Sequence, residues 1–207
     1  MRQGIVDISL NNNEMVFNGR AVNIRDFLSA KYGDAEVISN IPTEEIITEW
    51  WKVDGSTETK LEGSPVDAGN YKVKYYVKGL DYISRTQETD EFTILQRESL
   101  KLKPKDISLK TGSLLPEKST IEIVTEGLAE YDTLVYDEDY SINYEKQAED
   151  KYNIVVTAKD SLKRNYKNIN IEVGIILYRD HSAKATAIDA SKIYGEADPV
   201  FSATFSE

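Results

Sequence analysis

The strict alternation over Tyr71–Lys78 constrains the fold of this chain more than any other feature. The segment reads Tyr-Lys-Val-Lys-Tyr-Tyr-Val-Lys, so one side of an extended strand carries Tyr71, Val73, Tyr75 and Val77. Lysines occupy most of the other side, as expected for a strand with one face in a core and one face in water. In a helix the same period would spread the apolar residues around the whole circumference. The pattern therefore predicts a β-sheet with a buried face.

Other segments extend this pattern along the chain. Tyr152–Ala158 predicts a second strand, and Ile169–Ile175 predicts a third, because its odd positions are all β-branched and apolar. Ile24, Phe27 and Leu28 have helical spacing, and Gly33 could end a short helix over Ile24–Tyr32. Short strands separated by Gly, Asn, Asp and Pro dominate elsewhere, so the fold class is predicted to be all-β.

Internal repeats divide the predicted strands into tandem domains. Asp7–Leu10 recurs identically as Asp106–Leu109, and the Tyr71 strand matches the Tyr152 strand. That second match aligns Phe92 and Ile94 with Val173 and Ile175 in the last strands. The 207 residues suit two domains of about 100 residues each. We predict a first domain over 1–97 with an insertion near 25–49, a second over 98–181, and the truncated start of a third over 182–207.

Composition excludes several classes of protein. The chain has no cysteine, so disulfides and thiolate chemistry are absent, and its formal net charge is −11, which disfavours nucleic acid as a partner. The longest apolar run, Val173–Tyr178, is far shorter than the ~20 residues of a membrane span. No apolar signal segment follows the N-terminal Met, so either the protein is not exported or the fragment begins after its export signal.

Several segments resemble repeats of bacterial surface proteins. Ser64–Val73 resembles the Pro-x-x-Ala-Gly-x-Tyr-x-Val signature of immunoglobulin-like repeats, and Trp50–Gly55 is similar to the aromatic strand and Asp-Gly turn that precede it. Asp189–Pro199 closely resembles the opening Ala-x-Ser-Lys-x-Tyr-Gly-Asp-x-Asp-Pro of the MBG family, with Asp189 in place of the first Ala and Glu196 in place of Asp. The second domain matches more loosely: Asp139–Tyr144 is similar to a repeat strand, but no Gly precedes Tyr152.

The resemblance implies tandem immunoglobulin-like β-sandwich domains, exported and displayed on the cell surface, with no catalytic residues. The motif residues then have structural roles: Pro65 ends an edge segment, Gly69 permits a turn, and Tyr71 buries its ring and returns its hydroxyl to the backbone. Tyr152 is the matching position in the second domain, and Tyr194 and Gly195 belong to the third. We expect no metal and no cofactor.

Few residues are candidates for binding chemistry. His181, the one histidine, lies in a predicted linker and lacks the partners of a catalytic triad. Asp137 and Asp139, with Glu130 and Asp132 nearby, could supply oxygen ligands to calcium, although a solvated loop is the favoured interpretation, because the spacing of a calcium-binding loop is absent. Trp50 and Trp51 are adjacent on a strand, so one is expected in the core and the other could contact a glycan or a protein.

Two basic clusters are interpreted as solvated faces. They comprise Lys101, Lys103 and Lys105, with Leu100 and Leu102 turned inward, and Lys163, Arg164 and Lys167. The sequence thus favours a monomeric, non-catalytic spacer of a cell-surface or secreted repeat protein. An adhesin module that binds a glycan, a host protein or a neighbouring surface protein, and an accessory domain of a polysaccharide-degrading enzyme, remain alternatives.

Overall fold

A computed structural model describes residues 3–180, 184–195, 197–198, 200 and 202–206. Strands make up 52% of the structure, and helices are few, so the all-β prediction is confirmed. Among the described residues, no helix is long and apolar enough to cross a membrane. His181 lies outside the described residues.

Residues 3–96, here called unit one, form two sheets. The strands are β1 (Gly4–Leu10), β2 (Glu14–Val16), β3 (Leu28–Tyr32), β4 (Ala35–Glu36), β5 (Ile46–Asp54), β6 (Thr57–Lys60), β7 (Gly69–Val77), β8 (Tyr82–Ser84) and β9 (Glu88–Leu95). Short 3₁₀ helices cover Ile24–Phe27, Ile38–Asn40 and Thr43–Glu45. One sheet has the order β4-β3-β1-β8, and the other has the order β2-β9-β7-β5-β6.

Residues 97–180, here called unit two, form a second pair of sheets. The elements are β10 (Arg97–Pro104), β11 (Ile107–Lys110), a 3₁₀ helix (Lys118–Thr120), β12 (Ile123–Glu126), β13 (Tyr140–Ala148), β14 (Lys151–Ala158), α1 (Asp160–Asn165), β15 (Tyr166–Ile171) and β16 (Gly174–Arg179). The sheet orders are β12-β10-β15 and β11-β16-β14-β13. No sheet of the described chain mixes strands of the two units, and whether the predicted domains fold independently stays a prediction.

The two units repeat one strand topology. The first strand of each, β1 or β10, pairs antiparallel with β3 or β12 and parallel with β8 or β15. The short second strand, β2 or β11, runs parallel to the last strand, β9 or β16. The central strand, β7 or β14, lies between an antiparallel neighbour on each side. In both units the chain therefore moves between the sheets at the start and again near the end.

The inward faces follow the predicted alternation. Tyr71, Val73, Tyr75 and Val77 of β7 are all buried, and so are Leu100 and Leu102 of β10. These two predictions are confirmed. The buried residues of both units belong to one continuous apolar cluster.

The repeated tetrapeptide is not a structural repeat. Asp7–Leu10 belongs to β1, whereas Asp106–Leu109 lies at β11, which is the counterpart of β2. The first strand of unit two is instead β10, which begins nine residues earlier, at Arg97. Four identical residues therefore occupy different sheets, and the predicted insertion near 25–49 loses the support of this repeat. The strands of unit one without a counterpart in unit two are β4, which lies inside the predicted insertion, and β6, which lies outside it.

The predicted strand Ile169–Ile175 is two strands. β15 ends at Ile171 and β16 begins at Gly174 in the other sheet, which leaves Val173 half exposed between them. The Glu172 amide still donates to Leu102 O of β10 at 2.9 Å, and the Ile175 amide donates to the Asp106 carboxylate at 2.8 Å. Tyr152 pairs with Ile176, whereas Tyr71 pairs with Phe92, so the structural counterpart of Phe92 is Ile176 and not the predicted Val173.

The helix prediction was right only at its start. A 3₁₀ helix covers Ile24–Phe27, and the chain then extends as β3, because Leu28, Ser29 and Ala30 are buried beside β1. The Glu36 carboxylate accepts hydrogen bonds from the Ser29 hydroxyl and the Ala30 amide, which fixes this extended course and holds the pKa of Glu36 below its usual value.

The C-terminal segment forms a separate antiparallel pair, β17 (Lys184–Ala187) with β18 (Ala203–Ser206). Ile188 and Tyr194 are exposed between these strands, and Gly195 adopts a positive φ of 92° in a turn. Glu196 and Pro199 of the family-like motif lie outside the described residues.

Candidate functional site

The end of unit one that leads into unit two carries the most elaborate set of contacts in the described chain. β7 begins and β9 ends here, since Gly69 pairs with Ile94. The facing end of unit two contains the C-terminus of α1, the start of β15 and the loop over residues 128–133. We call this contact region the junction.

The family-like segment Pro65–Tyr71 forms the unit-one side of the junction. The Pro65 carbonyl accepts from the Val22 amide at 2.9 Å, and the buried Tyr71 donates its hydroxyl to Asp67 O at 2.7 Å. Gly69 has a positive φ of 157°, a backbone conformation that residues with a side chain rarely adopt, although a Cβ there would make only ordinary contacts. The backbone at this position therefore favours glycine, and the Tyr71 hydroxyl fixes the Asp67 turn.

Polar groups of α1 bind this turn. The Asn165 side chain is buried; its Oδ1 accepts from the Ala68 amide at 2.8 Å, and its Nδ2 donates to Asp67 Oδ1 at 3.0 Å. Arg164 Nη1 donates to Asp67 Oδ2 at 2.6 Å. The Arg164–Asp67 pair is about half exposed, so its contribution to stability is modest. The buried Asn165 side chain contributes more, because a buried amide that lost either hydrogen bond would be left unsatisfied.

Aromatic rings form the apolar part of the junction. Phe17 of unit one meets Tyr166 of unit two edge to face, with ring centroids 5.6 Å apart. The Tyr166 hydroxyl donates to Asp132 Oδ2 at 2.7 Å and accepts from the Ala129 amide at 2.9 Å. Because burial and the neighbouring carboxylate both oppose ionisation, the pKa of Tyr166 is raised.

The backbones of the two units also approach closely. The Tyr131 amide donates to Asn18 O at 3.0 Å, and the Arg20 guanidinium lies 3.6 Å from the centroid of the Tyr131 ring. Gly19 has a φ of 86°, and a Cβ at this position would overlap the backbone of Asp132. Only glycine satisfies both conditions, so this contact is built into the sequence.

The connecting residue is itself held in place. Gln96, between β9 and β10, donates its side-chain amide to Lys163 O and Arg164 O, both at 3.0 Å. Since this single residue joins β9 to β10 and is hydrogen-bonded to unit two, the connection is not a flexible linker.

The predicted ligand residues Trp50 and Trp51 separate as expected for neighbours on a strand. Trp50 is buried edge to face against Phe92, at 5.6 Å between centroids, and no surface ligand can reach it. Trp51 is half buried on the outer face, with Lys60 Nζ 5.6 Å from its ring centroid. Lys60 is paired with Glu49 at 2.7 Å. Ligand binding at Trp51 stays a prediction.

Tyr152 is only half buried and lies edge to face with Tyr178. The fully buried tyrosine of unit two is Tyr166, which the sequence reasoning missed because β15 lacks a clear alternation at its start. Arg164 was interpreted as part of a solvated face and is instead a junction residue. The other basic residues of both clusters do pair with neighbouring carboxylates at the surface.

Asp132, Asp137 and Asp139 are each engaged by neighbouring groups of the chain. Asp139 accepts from the Val135 amide at 2.9 Å, Asp132 accepts from Tyr166, and Lys159 pairs with Asp137 at 3.6 Å. Within the described part of the chain, no three His, Asp or Glu side chains lie close enough together to hold a metal ion.

Searches of protein-family models, curated proteins and solved structures find no match to this chain. The resemblance to bacterial surface repeats therefore stays a prediction based on the motif residues.

Proposed function

We propose that this chain is a non-catalytic structural module of a bacterial cell-surface repeat protein, in which immunoglobulin-like β-sandwich domains are joined end to end at a fixed angle. The observation that carries this proposal is the junction. At the junction, both polar groups of the buried Asn165 side chain form hydrogen bonds, and Phe17 packs against Tyr166. Gly19 allows a backbone contact that no other residue would permit, and the Gln96 side chain in the connection is hydrogen-bonded to unit two.

A spacer requires such a junction. Interfaces between domains of one chain are commonly small and allow relative motion. A protein that projects a distant domain from the cell surface loses reach if its modules pivot, so selection for reach favours a fixed junction. A catalytic or ligand-binding role would not by itself require the unit-two helix end to fit the Asp67 turn.

Pulsed electron–electron double resonance, which measures the distribution of distances between two spin labels, can test this proposal. The chain has no cysteine, so labels can be attached at Thr57→Cys in unit one and Asn143→Cys in unit two, both exposed strand positions. We expect a single narrow distance distribution. Asp67→Ala removes the partners of both Arg164 and Asn165 Nδ2 and should broaden that distribution, whereas Asp81→Ala, at the opposite end of unit one, should not.

A broad distribution in the unmodified chain would contradict the spacer proposal, because the modules would then pivot freely. Equal widths for Asp67→Ala and the parent chain would show that the Asp67 turn does not fix the angle.

A further inference from the structure

A cleft lies at the end of unit two that is remote from the junction, and it takes no part in the junction. It has a volume of about 650 Å³. Its lining includes Ser113, Glu149, Asp150, Tyr152, Tyr178 and Asp180.

This cleft occupies the position in unit two that the junction occupies in unit one. The start of β7 and the end of β9 meet where the chain leaves unit one, with Gly69 opposite Ile94. The start of β14 and the end of β16 meet where the chain leaves unit two, with Lys151 opposite Leu177. Tyr152 in unit two therefore stands where Tyr71 stands in unit one.

In unit one, an arginine from the following unit occupies this position. A smaller cleft, of about 350 Å³, has Asp67, Tyr71 and Arg164 in its lining. The guanidinium of Arg164 binds the Asp67 carboxylate at 2.6 Å and lies close enough to Tyr71 to oppose the rise of its pKa. The end at which the chain leaves unit one, here called its exit end, thus binds an arginine side chain of the following unit.

The unit-two cleft has the chemistry of a site for the same group. The rings of Tyr152 and Tyr178 lie edge to face at 6.2 Å, and the Tyr178 hydroxyl donates to Ser113 O at 3.1 Å, which fixes that ring. Glu149, Asp150 and Asp180 line the cleft, and in the described residues no ion pair engages their carboxylates. A planar guanidinium can stack on a tyrosine ring and at the same time bridge to carboxylates, which a compact ammonium group does less well.

We propose that this cleft binds an arginine side chain presented by another β domain that docks end to end against unit two, as unit two docks against unit one. Glu149, Asp150 and Asp180 supply the negative charge, and Tyr152 and Tyr178 supply the flat surface for the guanidinium. Because this proposal uses only the equivalence of the two exit ends, its failure would leave the spacer proposal standing.

The site can be tested by titrating the ¹⁵N-labelled full chain and following its amide signals in ¹H–¹⁵N correlation spectra. The probe is N-acetyl-arginine N-methylamide at low salt, with the uncharged citrulline derivative and the lysine derivative as comparisons. We expect the arginine probe to shift amides at 111–113, 149–152 and 177–180 selectively. The citrulline derivative should leave them unchanged, and the lysine derivative should bind several-fold more weakly.

A matched pair of variants separates the site from general acidity. Asp150 lies in the two-residue turn between β13 and β14, and Asp34 lies in the two-residue turn between β3 and β4. Asp150→Asn combined with Glu149→Gln should weaken the arginine probe several-fold, whereas Asp34→Asn should have no effect. Both variants replace surface carboxylates by isosteric amides, so loss of the fold is not expected, and the amide spectrum itself reports it.

Three results would overturn the proposal. One is a set of small shifts spread over the whole acidic surface, the second is equal binding of the arginine and lysine probes, and the third is unchanged binding by the Asp150→Asn, Glu149→Gln variant. Retained binding of arginine alone, lost in that variant and kept in Asp34→Asn, would support it.

Discussion

Tyr71 and Tyr166 place their hydroxyls in hydrogen bonds on the two sides of the junction. Burial and the Asp67 carboxylate raise the pKa of Tyr71 to about 12, and the pKa of Tyr166 is also raised above its usual value. A tyrosine in the unfolded chain ionises near pH 10. The folded state therefore holds these protons more tightly than the unfolded state, which makes stability dependent on pH in the alkaline range.

The first residue-scale prediction concerns this pH dependence. A group with a raised pKa contributes stability that is complete below its unfolded pKa and is lost as the pH rises toward its folded pKa. We expect the free energy of unfolding to fall between pH 10 and about pH 12, the pKa of folded Tyr71. Tyr71→Phe should cost about 1 kcal/mol at pH 8, because the Asp67 carbonyl loses its donor, and should flatten the alkaline decline. Urea unfolding at several pH values, with tyrosinate absorbance, measures both.

Tyr32→Phe is the control for this prediction, since the Tyr32 side chain is 54% exposed and belongs to unit one but not to the junction. A decline of equal steepness in Tyr71→Phe and Tyr32→Phe would contradict the assignment of the pH dependence to Tyr71.

Sequence reasoning identified the buried Tyr71 but not Tyr166, the buried tyrosine on the other side of the junction. Alternation over Tyr71–Val77 is sufficient to place that ring in a core, because every second residue is apolar. Tyr152 begins a similar run, yet it is only half buried, against Tyr178 in a cleft at the end of unit two. Tyr166, Asn165 and Arg164 acquire their roles from contacts with residues of the other unit, 97 to 149 positions away, and no local pattern reports such contacts.

At the scale of elements, the fold depends on paired changes of sheet. In unit two the first strand changes sheets at Pro104–Asp106, and the last strand changes at Glu172–Gly174, so that β10 pairs with β15 and β11 pairs with β16. Gly174 lies directly against Pro104, with no space for a side chain. The two crossings are therefore packed against each other.

Gly174→Ala should destabilise unit two by about 1–3 kcal/mol, the usual cost of adding atoms to a packed site. A Cβ at residue 174 would lie 2.7 Å from Pro104 Cβ and 2.8 Å from Pro104 O. Gly63→Ala is the matched control, because its Cβ would meet nothing within 4 Å and its φ is not positive. That variant should be neutral or slightly stabilising. Urea midpoints from circular dichroism give both values, and equal midpoints for the two variants would show that the crossings are not packed as described.

The sequence predicts strands at this scale but not the change of sheet. Ile169, Ile171, Val173 and Ile175 alternate without interruption, so the pattern indicates one strand. In the structure the buried positions are shifted by one residue after the crossing, to Gly174 and Ile176. A small residue inside an apolar run is the available signal, since Gly within a strand marks a bend or a close backbone approach.

At the scale of the whole molecule, the two units share one apolar cluster through Phe17 and Tyr166. Tandem modules with a small interface would unfold separately, and a mutation in one would barely affect the other. The junction here buries polar groups as well as rings, so breaking it exposes groups on both units. We therefore expect the stability of each unit to depend on its contact with the other.

Asn165→Ala tests this coupling. The substitution leaves the buried Ala68 amide without its acceptor and removes a donor to Asp67, at a cost of about 1–3 kcal/mol for an unsatisfied buried group. In differential scanning calorimetry the parent chain should show the two units unfolding in one main transition, and Asn165→Ala should split it into two. Asn168→Ala is the matched control, because Asn168 is exposed on β15 and bonds only within unit two, to Glu98. Two transitions already present in the parent chain and unmoved by Asn165→Ala would show that the units are energetically independent, and the junction would then set their orientation without adding to their stability.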